Sequence, residues 1–402
     1  MNKFILRYGK TVVHFGSQAI NELKNVVQNY GKVYIVTTKN APRVSGALGD
    51  VTSILNELNI TYDLFDEVKP NPSASLIEQI ADDIRMHNPD VVIAIGGGSA
   101  IDSAKISSAL AVCGGSVKDY LFGGKHICGA KPIIAVNLTH GTGSEVNRYA
   151  VVTIDSPLTK IGMASEYFYP MVSFNDPRYT LTMPHEQIVF TSLDAFYHVY
   201  EAATGRDVTP FALMLAEETV KLIAQWLPIA VKEPQNLEAR YWLMYAAMLA
   251  GIAIDNSRAH LIHAIENVLS GLNTKLAHGA GLAILGPRVI PYLHRVLPEN
   301  SYRLMRYLDP DIRPVAEDAE KAAKALARFQ ESVGFKESLR DYGFTESDAE
   351  TIANTVTTVL SYSLRLVPFT VDADMIKTIY LEVSLKLFNI LFGYDHVGTL
   401  HR

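Results

Sequence analysis

The 402-residue sequence predicts an α/β half built on a parallel sheet, followed by a half that is all helix. Two observations predict it. From Gly31 to about Val136, short β-branched runs alternate with amphipathic stretches, the rhythm of a parallel sheet covered by helices. Beyond Asp176-Pro177 the β-branched runs cease and long segments of helical period take over. A chain that is 48% apolar and 19% charged can bury a sizeable core and is not composed for disorder. The change of pattern divides it into residues 1–178 and residues 179–402, an ordinary size for each domain.

The first strand is expected at Lys32 to Thr37, a helix near Val44 to Leu58, and a second strand at Ile60 to Phe65. Pro70-Asn71-Pro72 then stops the ladder, because proline has no N–H to give, and Ser73 can cap a helix running to about His87. A strand at Asp90 to Ile95, a helix from about Ser99 to Val112 and a strand at Pro132 to Val136 complete the alternation. These strands are apolar without alternation, as strands buried on both faces are. The helical half is expected to include Phe211 to Ala230, Leu237 to Ile254, Ala259 to Leu269 and Val315 to Val333. Its longest apolar run, Tyr241 to Ile254, is shorter than the roughly 20 residues that span a bilayer and reads as a buried helix.

Lys and Arg total 36 against 42 Asp and Glu, so a formal charge of -6 offers no general attraction to nucleic acid or to an anionic membrane. Two cysteines, Cys113 and Cys128, cannot build a disulfide framework or a four-thiolate metal site. A reducing, cytoplasmic location is expected. Met1 to Tyr8 carries charges every few residues and lacks the apolar core of a signal peptide.

Gly96-Gly97-Gly98-Ser99, with Asp102 and Lys105 following, stands directly after an apolar strand and opens a helix. Successive glycines let backbone approach a diphosphate, and the positive end of the following helix stabilises its charge. The run has neither the G-x-G-x-x-G spacing nor the Gly-Lys-Ser/Thr of a triphosphate loop. A second polar loop, Asn137 to Glu145, follows the next strand and carries Thr139, Thr142 and Ser144. Two such loops on neighbouring strand ends resemble a dinucleotide site.

In the helical half, Asp194 and His198 stand four apart, which on a helix aims carboxylate and imidazole at one spot. His263 lies in an apolar helix and His278 precedes Gly279. On one unbroken helix the two would be about 22 Å apart, so the chain is expected to turn, with Gly271 in the left-handed position after a helix end and Leu272-Asn273-Thr274 following it to supply the break. One oxygen and three nitrogens would then suit Fe(II), Zn(II), Co(II) or Ni(II). Tyr149, Phe168, Phe196 and Phe369 are candidates for shaping a substrate pocket, with nothing local to separate them from core aromatics.

Taken in order, Pro70-Asn71-Pro72, Gly96-Gly97-Gly98-Ser99 with Asp102 and Lys105, Gly141-Thr142-Gly143-Ser144-Glu145, Asp176-Pro177, Asp194 to His198 with Glu201, His263 and His278-Gly279 resemble the iron-containing (group III) alcohol dehydrogenases over nearly the whole chain. The resemblance implies a dinucleotide-binding α/β domain followed by an all-helical metal-binding and catalytic domain, the fold of dehydroquinate synthase. It implies an NAD(P)-dependent alcohol dehydrogenase or aldehyde reductase, acting on small alcohols, with the substrate oxygen polarised by a divalent metal. Asp194, His198, His263 and His278 would hold that metal, iron ahead of zinc. Asn71, Gly97, Gly98 and Ser99 would meet the pyrophosphate side of the cofactor, Thr139, Thr142 and Ser144 its adenine and nicotinamide sides, and Thr38 and Lys39 its adenosine. Asp102 stands at the same site and pins the loop at its helix start. A homodimer is implied by the same resemblance.

Two positions depart from the family pattern. Where relatives carry a proton-relaying histidine one turn after the third ligand, this chain has Asn267, an amide that cannot titrate near neutral pH. Water, a ribose hydroxyl or His260 would have to replace it. Where many NAD-using relatives place an acid after the first strand, the chain reads Thr38-Lys39-Asn40-Ala41-Pro42-Arg43, and a base there admits NADP(H). Two rivals are weighed. Glycerol, glycerol-1-phosphate or polyol enzymes of the superfamily are disfavoured by the Asp194 to His198 spacing and by the lack of any cationic cluster beside the ligand histidines in the sequence. A nucleotide-binding protein that has lost catalysis is suggested by Asn267 and disfavoured by the intact ligand set.

Overall fold

The computed structural model describes Leu6 and residues 9–384. The amino-terminal stretch read for a signal peptide lies almost wholly outside these residues, as does the end of the second predicted domain.

Eight strands are described: β1 (Val12–Phe15), β2 (Lys32–Thr37), β3 (Thr61–Phe65), β4 (Val91–Gly96), β5 (Ile133–Asn137), β6 (Tyr149–Asp155), β7 (Leu158–Ala164) and β8 (Val172–Asn175). Six form one sheet in the order β1-β8-β5-β4-β2-β3, every neighbouring pair parallel. Helices α1 (Ala47–Glu57), α2 (Ala74–His87) and α3 (Gly98–Cys113) cover it. The pleat sends alternate residues to opposite layers. Val33, Ile35, Val91, Ile93 and Ile95 pack with Leu48, Val51 and Leu55 of α1, while Tyr34, Val36, Val92 and Ala94 pack with Ile80 and Ile84 of α2 and Ile101 and Ala104 of α3. Burial on both faces is why these strands show no alternation of polarity. Ser73 caps α2 as expected, its hydroxyl accepting from the Leu76 amide at 3.3 Å.

From β2 the chain moves to the sheet edge at β3, then crosses back over β2 to β4 and onward to β5. Connections therefore diverge between β2 and β4. Such a reversal opens a crevice at the carboxyl ends of the strands, where open α/β sheets bind ligands, and it lies between Thr38 and Gly97.

Two strands and a hairpin were not legible from periodicity. β1 and β8 are only four residues long, and β6 and β7 form a separate antiparallel hairpin beyond the last sheet-forming repeat. That hairpin turns out to wall the site. The helical part begins at α4 (His185–Thr204) and continues through α5 (Pro210–Lys232), α6 (Leu237–Asn256), α7 (Leu261–Leu272), α8 (His278–Val296), α9 (Ala319–Ser332), α10 (Ala349–Thr358) and α11 (Ala373–Ser384). α4 is the axis of this half, buried almost continuously from Ile188 to Thr204. No helix among the described residues is long and apolar enough to cross a membrane.

Two expectations need correction. Gly271 does not break the chain between His263 and His278: it lies inside α7, where a Cβ would come within 2.5 Å of the Thr159 backbone on β7. Close approach to the hairpin, not a left-handed turn, requires glycine there. The turn is made two residues later by Asn273, whose Oδ1 accepts from the Lys275 amide at 3.0 Å. The cysteines are joined to each other, Cys113 at the end of α3 to Cys128 in the loop that follows, so their small number carries no information about compartment.

Candidate metal centre and the cleft beside it

Asp194 and His198 project from one face of α4, His263 from the first turn of α7, and His278 from the first residue of α8. Each offers a ligand atom, and all four atoms lie within 4.8 Å of one another. From Asp194 Oδ1 the distances are 3.5 Å to His198 Nδ1, 3.7 Å to His278 Nε2 and 3.8 Å to His263 Nε2. Metal bonds of about 2.0–2.2 Å arranged tetrahedrally would place donors about 3.4 Å apart, so the set needs only slight contraction. Asp194 Oδ1, His198 Nδ1 and His263 Nε2 are buried with no hydrogen-bond partner, an arrangement that costs free energy unless something else satisfies them. α8 can bring His278 this close because residue 279 is glycine: a Cβ there would stand 1.9 Å from the Phe190 carbonyl oxygen on α4.

Two further carboxylates aim the imidazoles. Glu201, one turn along α4 from His198, accepts from His263 Nδ1 at 2.6 Å, and Glu266 of α7 pairs with His278 Nδ1. Such partners fix the tautomer that leaves Nε2 for a metal. Glu201 also holds the start of α7, accepting from the amides of His260 at 3.1 Å, Ile262 at 2.6 Å and His263 at 3.3 Å. Lys160 of β7 lies 3.3 Å from His278 Nδ1 and 3.8 Å from Glu266. Burial would raise the Asp194 carboxyl, but the three imidazoles more than offset it and hold it well below the usual carboxylate range. Burial pushes His198 down to about 4. Burial would lower His263 too, yet Asp194 and Glu201 bring it up to about 9. Without a metal, a protonated His263 and the Lys160 ammonium offset part of the charge of the buried carboxylates of Asp194, Glu201 and Glu266; a metal on the imidazoles would displace that proton and leave three carboxylates facing one ammonium. A divalent cation balances that excess, which a buried site cannot otherwise tolerate cheaply.

The cofactor candidates gather at the crevice. Gly97 and Gly98 are pressed against the second loop, where a Cβ on either would come within 2.7 Å of the Thr139 or 2.6 Å of the Thr142 side chain respectively. Loop contact as well as ligand approach therefore requires these glycines, and α3 starts at Gly98 with its amide end facing the crevice. Thr38 Oγ1 is buried without a partner at its edge. Asn71 adopts a left-handed φ of 52° and donates from Nδ2 to the Thr274 carbonyl at 3.3 Å. Asp102 ties loop to helix, accepting from Ser144 Oγ at 2.6 Å and from the Val151 amide at 2.9 Å. Ser144 needs correction as a ligand-facing hydroxyl: it donates to Asp102 and accepts from Lys105 at 2.8 Å, so its proton and one lone pair are already used within the protein. Arg43 pairs with Asp66 at 2.7 Å, a carboxylate that the local sequence did not disclose, and this leaves Lys39 as the exposed base at the adenosine end.

Beside the metal donors opens a cavity of about 1530 Å³ whose wall includes His198, His263 and Asn267. Asn267 thus occupies the expected place. His260 does not: it is fully buried at the N-cap of α7, outside the helical register, with Nδ1 accepting from the Leu261 amide at 2.8 Å. It caps the start of α7 and does not line the cavity. Of the aromatic candidates only Tyr149 lines the cavity; Phe168 and Phe196 are core. The same wall carries Arg148, Arg206, Arg258 and Arg303, so the expected lack of a cationic cluster near the histidines is overturned. These arginines come from four separate segments, and no local motif joins them. Lys160 and Glu266 were missed for the same reason: only the packing of the hairpin on α7 gives them a role.

Family models match both parts of the chain: iron-containing alcohol dehydrogenase over residues 10–177, and the C-terminal model of the Fe-containing alcohol dehydrogenase family over residues 188–382. The chain is 37% identical to a long-chain primary alcohol dehydrogenase of Thermoanaerobacter ethanolicus, across 93% of this chain and 96% of that one. It is 32% identical to 1,3-propanediol dehydrogenase of Klebsiella pneumoniae, across 83% and 87% respectively. Among solved structures, NADH-dependent butanol dehydrogenase A from Thermotoga maritima superposes with a TM-score of 0.87 at 28% identity, covering 94% of this chain and 98% of that one.

Proposed function

The chain belongs to the iron-containing alcohol dehydrogenase family, and on that ground we propose that it transfers hydride between a nicotinamide dinucleotide and the carbon of a small alcohol or aldehyde. Asp194, His198, His263 and His278 hold a divalent ion, iron ahead of zinc. The observation that carries this reading is their convergence, with three buried donor atoms lacking any other partner, beside a cavity that His198 and His263 line. When bound, such an ion polarises the C–O bond and lowers the alcohol's pKa.

The chain's own residues do the rest. Glu201 and Glu266 keep His263 and His278 turned toward the ion. Gly97, Gly98, Ser99 and the start of α3 receive the pyrophosphate; Thr38, Asn71, Thr139 and Thr142 border the rest of the dinucleotide, and Asp102 positions the loops. Asn267 orients water in the cavity with its amide, so the substrate's proton exchanges with that water and not with a side chain. Lys39, exposed and with no acid beside it in sequence, favours NADP(H) over NAD(H). We place the domain division at residue 178, between the end of β8 and the start of α4, and take the enzyme to be a homodimer on family resemblance.

Chelation followed by readdition tests the reading. Metal-stripped protein should not oxidise NADPH or NADH in the presence of butanal, and Fe(II) or Zn(II) should restore turnover, with NADPH the better donor. Full activity in protein shown to be free of metal would refute the proposed site.

A further inference from the structure

The cavity is larger than a small alcohol needs, at about 1530 Å³, and its wall is chemically graded. Val151, Met163, Leu213, Ile254 and Leu366 supply an aliphatic surface, and the four arginines face only two carboxylates, Asp207 and Asp255, on the same wall. Three of the arginines are held by acids: Arg148 by Asp255 at 3.2 Å, Arg258 by Asp207 at 3.1 Å and Arg303 by Glu217 at 2.6 Å. Arg206 differs. It follows the end of α4, the helix that bears Asp194 and His198, and makes no ion pair among the described residues. Its backbone amide donates to the Leu366 carbonyl at 2.7 Å and its Nε to the Val367 carbonyl at 2.5 Å. The exposed guanidinium is thereby tethered at one nitrogen, and among the described residues its terminal nitrogens have no acceptor, which leaves the fork geometry that suits an anionic oxygen pair.

We propose that Arg206, on a cavity wall that also carries Arg148, Arg258 and Arg303, forms an anion subsite in the substrate cavity, and that the preferred substrate is an aliphatic aldehyde or alcohol carrying a carboxylate or phosphate at the end away from the reacting carbon. This rests on the dehydrogenase reading above. The reaction itself is unchanged: reduction takes one hydride from the nicotinamide and one proton from water to give the alcohol, and the tail is not altered. The aliphatic wall accommodates the spacer and the arginines fix the tail, so the selection acts mainly through KM.

The test compares three aldehydes of matched chain length: succinate semialdehyde, its methyl ester, and an aldehyde ending in a phosphate monoester, with butanal as the neutral reference. Because Arg206 is exposed, the metal-loaded wild-type enzyme should show kcat/KM a few-fold higher for one charged aldehyde than for the ester, as expected of a charge-assisted pair at a solvated guanidinium, and the preference should shrink with added salt. Whether carboxylate or phosphate is preferred identifies the tail. Arg206→Ala and Arg206→Gln should each bring the ratio of charged to neutral substrate toward one, through KM, and Arg206→Lys should keep part of it. Turnover of butanal with no preference for either charged aldehyde would overturn the anion subsite alone, as would a preference that survives in both neutral variants. Turnover of none of the four would overturn the dehydrogenase reading as well.

Discussion

Position 267 shows how one side chain sets the limits of the chemistry. Asn267 sits one turn after His263 and on the same cavity wall, but its amide cannot exchange a proton near neutral pH. Asn267→His should retain the metal, raise turnover several-fold and add an ionisation near the histidine range to the pH profile of kcat, whereas His263→Ala should lose the metal. Metal analysis with pH-dependent kinetics checks both, and equal metal loss in the two variants would contradict the placement of α7. The four ligands were readable because three of them carry local signals: an i, i+4 pair in an apolar helix and a histidine followed by glycine. His260, offered in sequence only as one of three stand-ins for a relay, could not be assigned there because its placement depends on φ and ψ of -142° and -99° at a helix start, which one-dimensional spacing treats as one more helical turn.

Among elements, the β6–β7 hairpin is the part that periodicity did not reveal, and it is held against α7 through Gly271. An added methyl there would meet backbone, which cannot swing aside as a side chain can. Gly271→Ala gains helix propensity of about 1 kcal/mol but overpacks the contact, at a cost of roughly 1–3 kcal/mol. The expected outcome is a lower Tm together with reduced turnover, because the displaced hairpin carries Lys160 away from His278. Thermal unfolding and kinetics on the same sample check it; unchanged values in both would mean that the contact is loose. Four of the six sheet strands, β2 to β5, were legible to within a residue, for example Lys32–Thr37, since strands buried within the sheet carry unbroken β-branched runs. The hairpin has no such demand: β7 alternates buried and exposed positions only in part and buries a lysine.

At the scale of the whole molecule, the two halves are pinned together through His140. It follows β5 in the sheet half, yet its Nδ1 lies 3.1 Å from the hydroxyls of Thr191 and Ser192 on α4, and its Nε2 accepts from Arg240 of α6 at 3.2 Å. Burial and the facing guanidinium push the imidazole from an ordinary value of 6.5 down to about 3. Above pH 6.5 folded and unfolded chains both hold it neutral. Between that value and about 3 the unfolded chain takes up a proton that the folded one refuses, so stability falls with pH by about 1.4 kcal/mol per unit. Urea unfolding from neutral to mildly acidic pH should show a slope that includes this contribution in the wild type and a shallower one in His140→Asn, where His198, His294 and the carboxylates remain. Identical slopes would remove His140 as the acid-sensitive joint. Sequence alone offered His140 only as part of a polar loop, because its partners lie on helices about 50 and 100 residues away.

The double duty of Glu201 bears on how such an enzyme can diversify. One carboxylate both turns His263 and closes the first turn of α7, so any change there alters ion affinity and the scaffold at once and offers selection no neutral intermediate. Glu266 performs the first duty without the second. Descendants adapting to a different ion are free to vary at Glu266, while Glu201 is left frozen by the helix it begins.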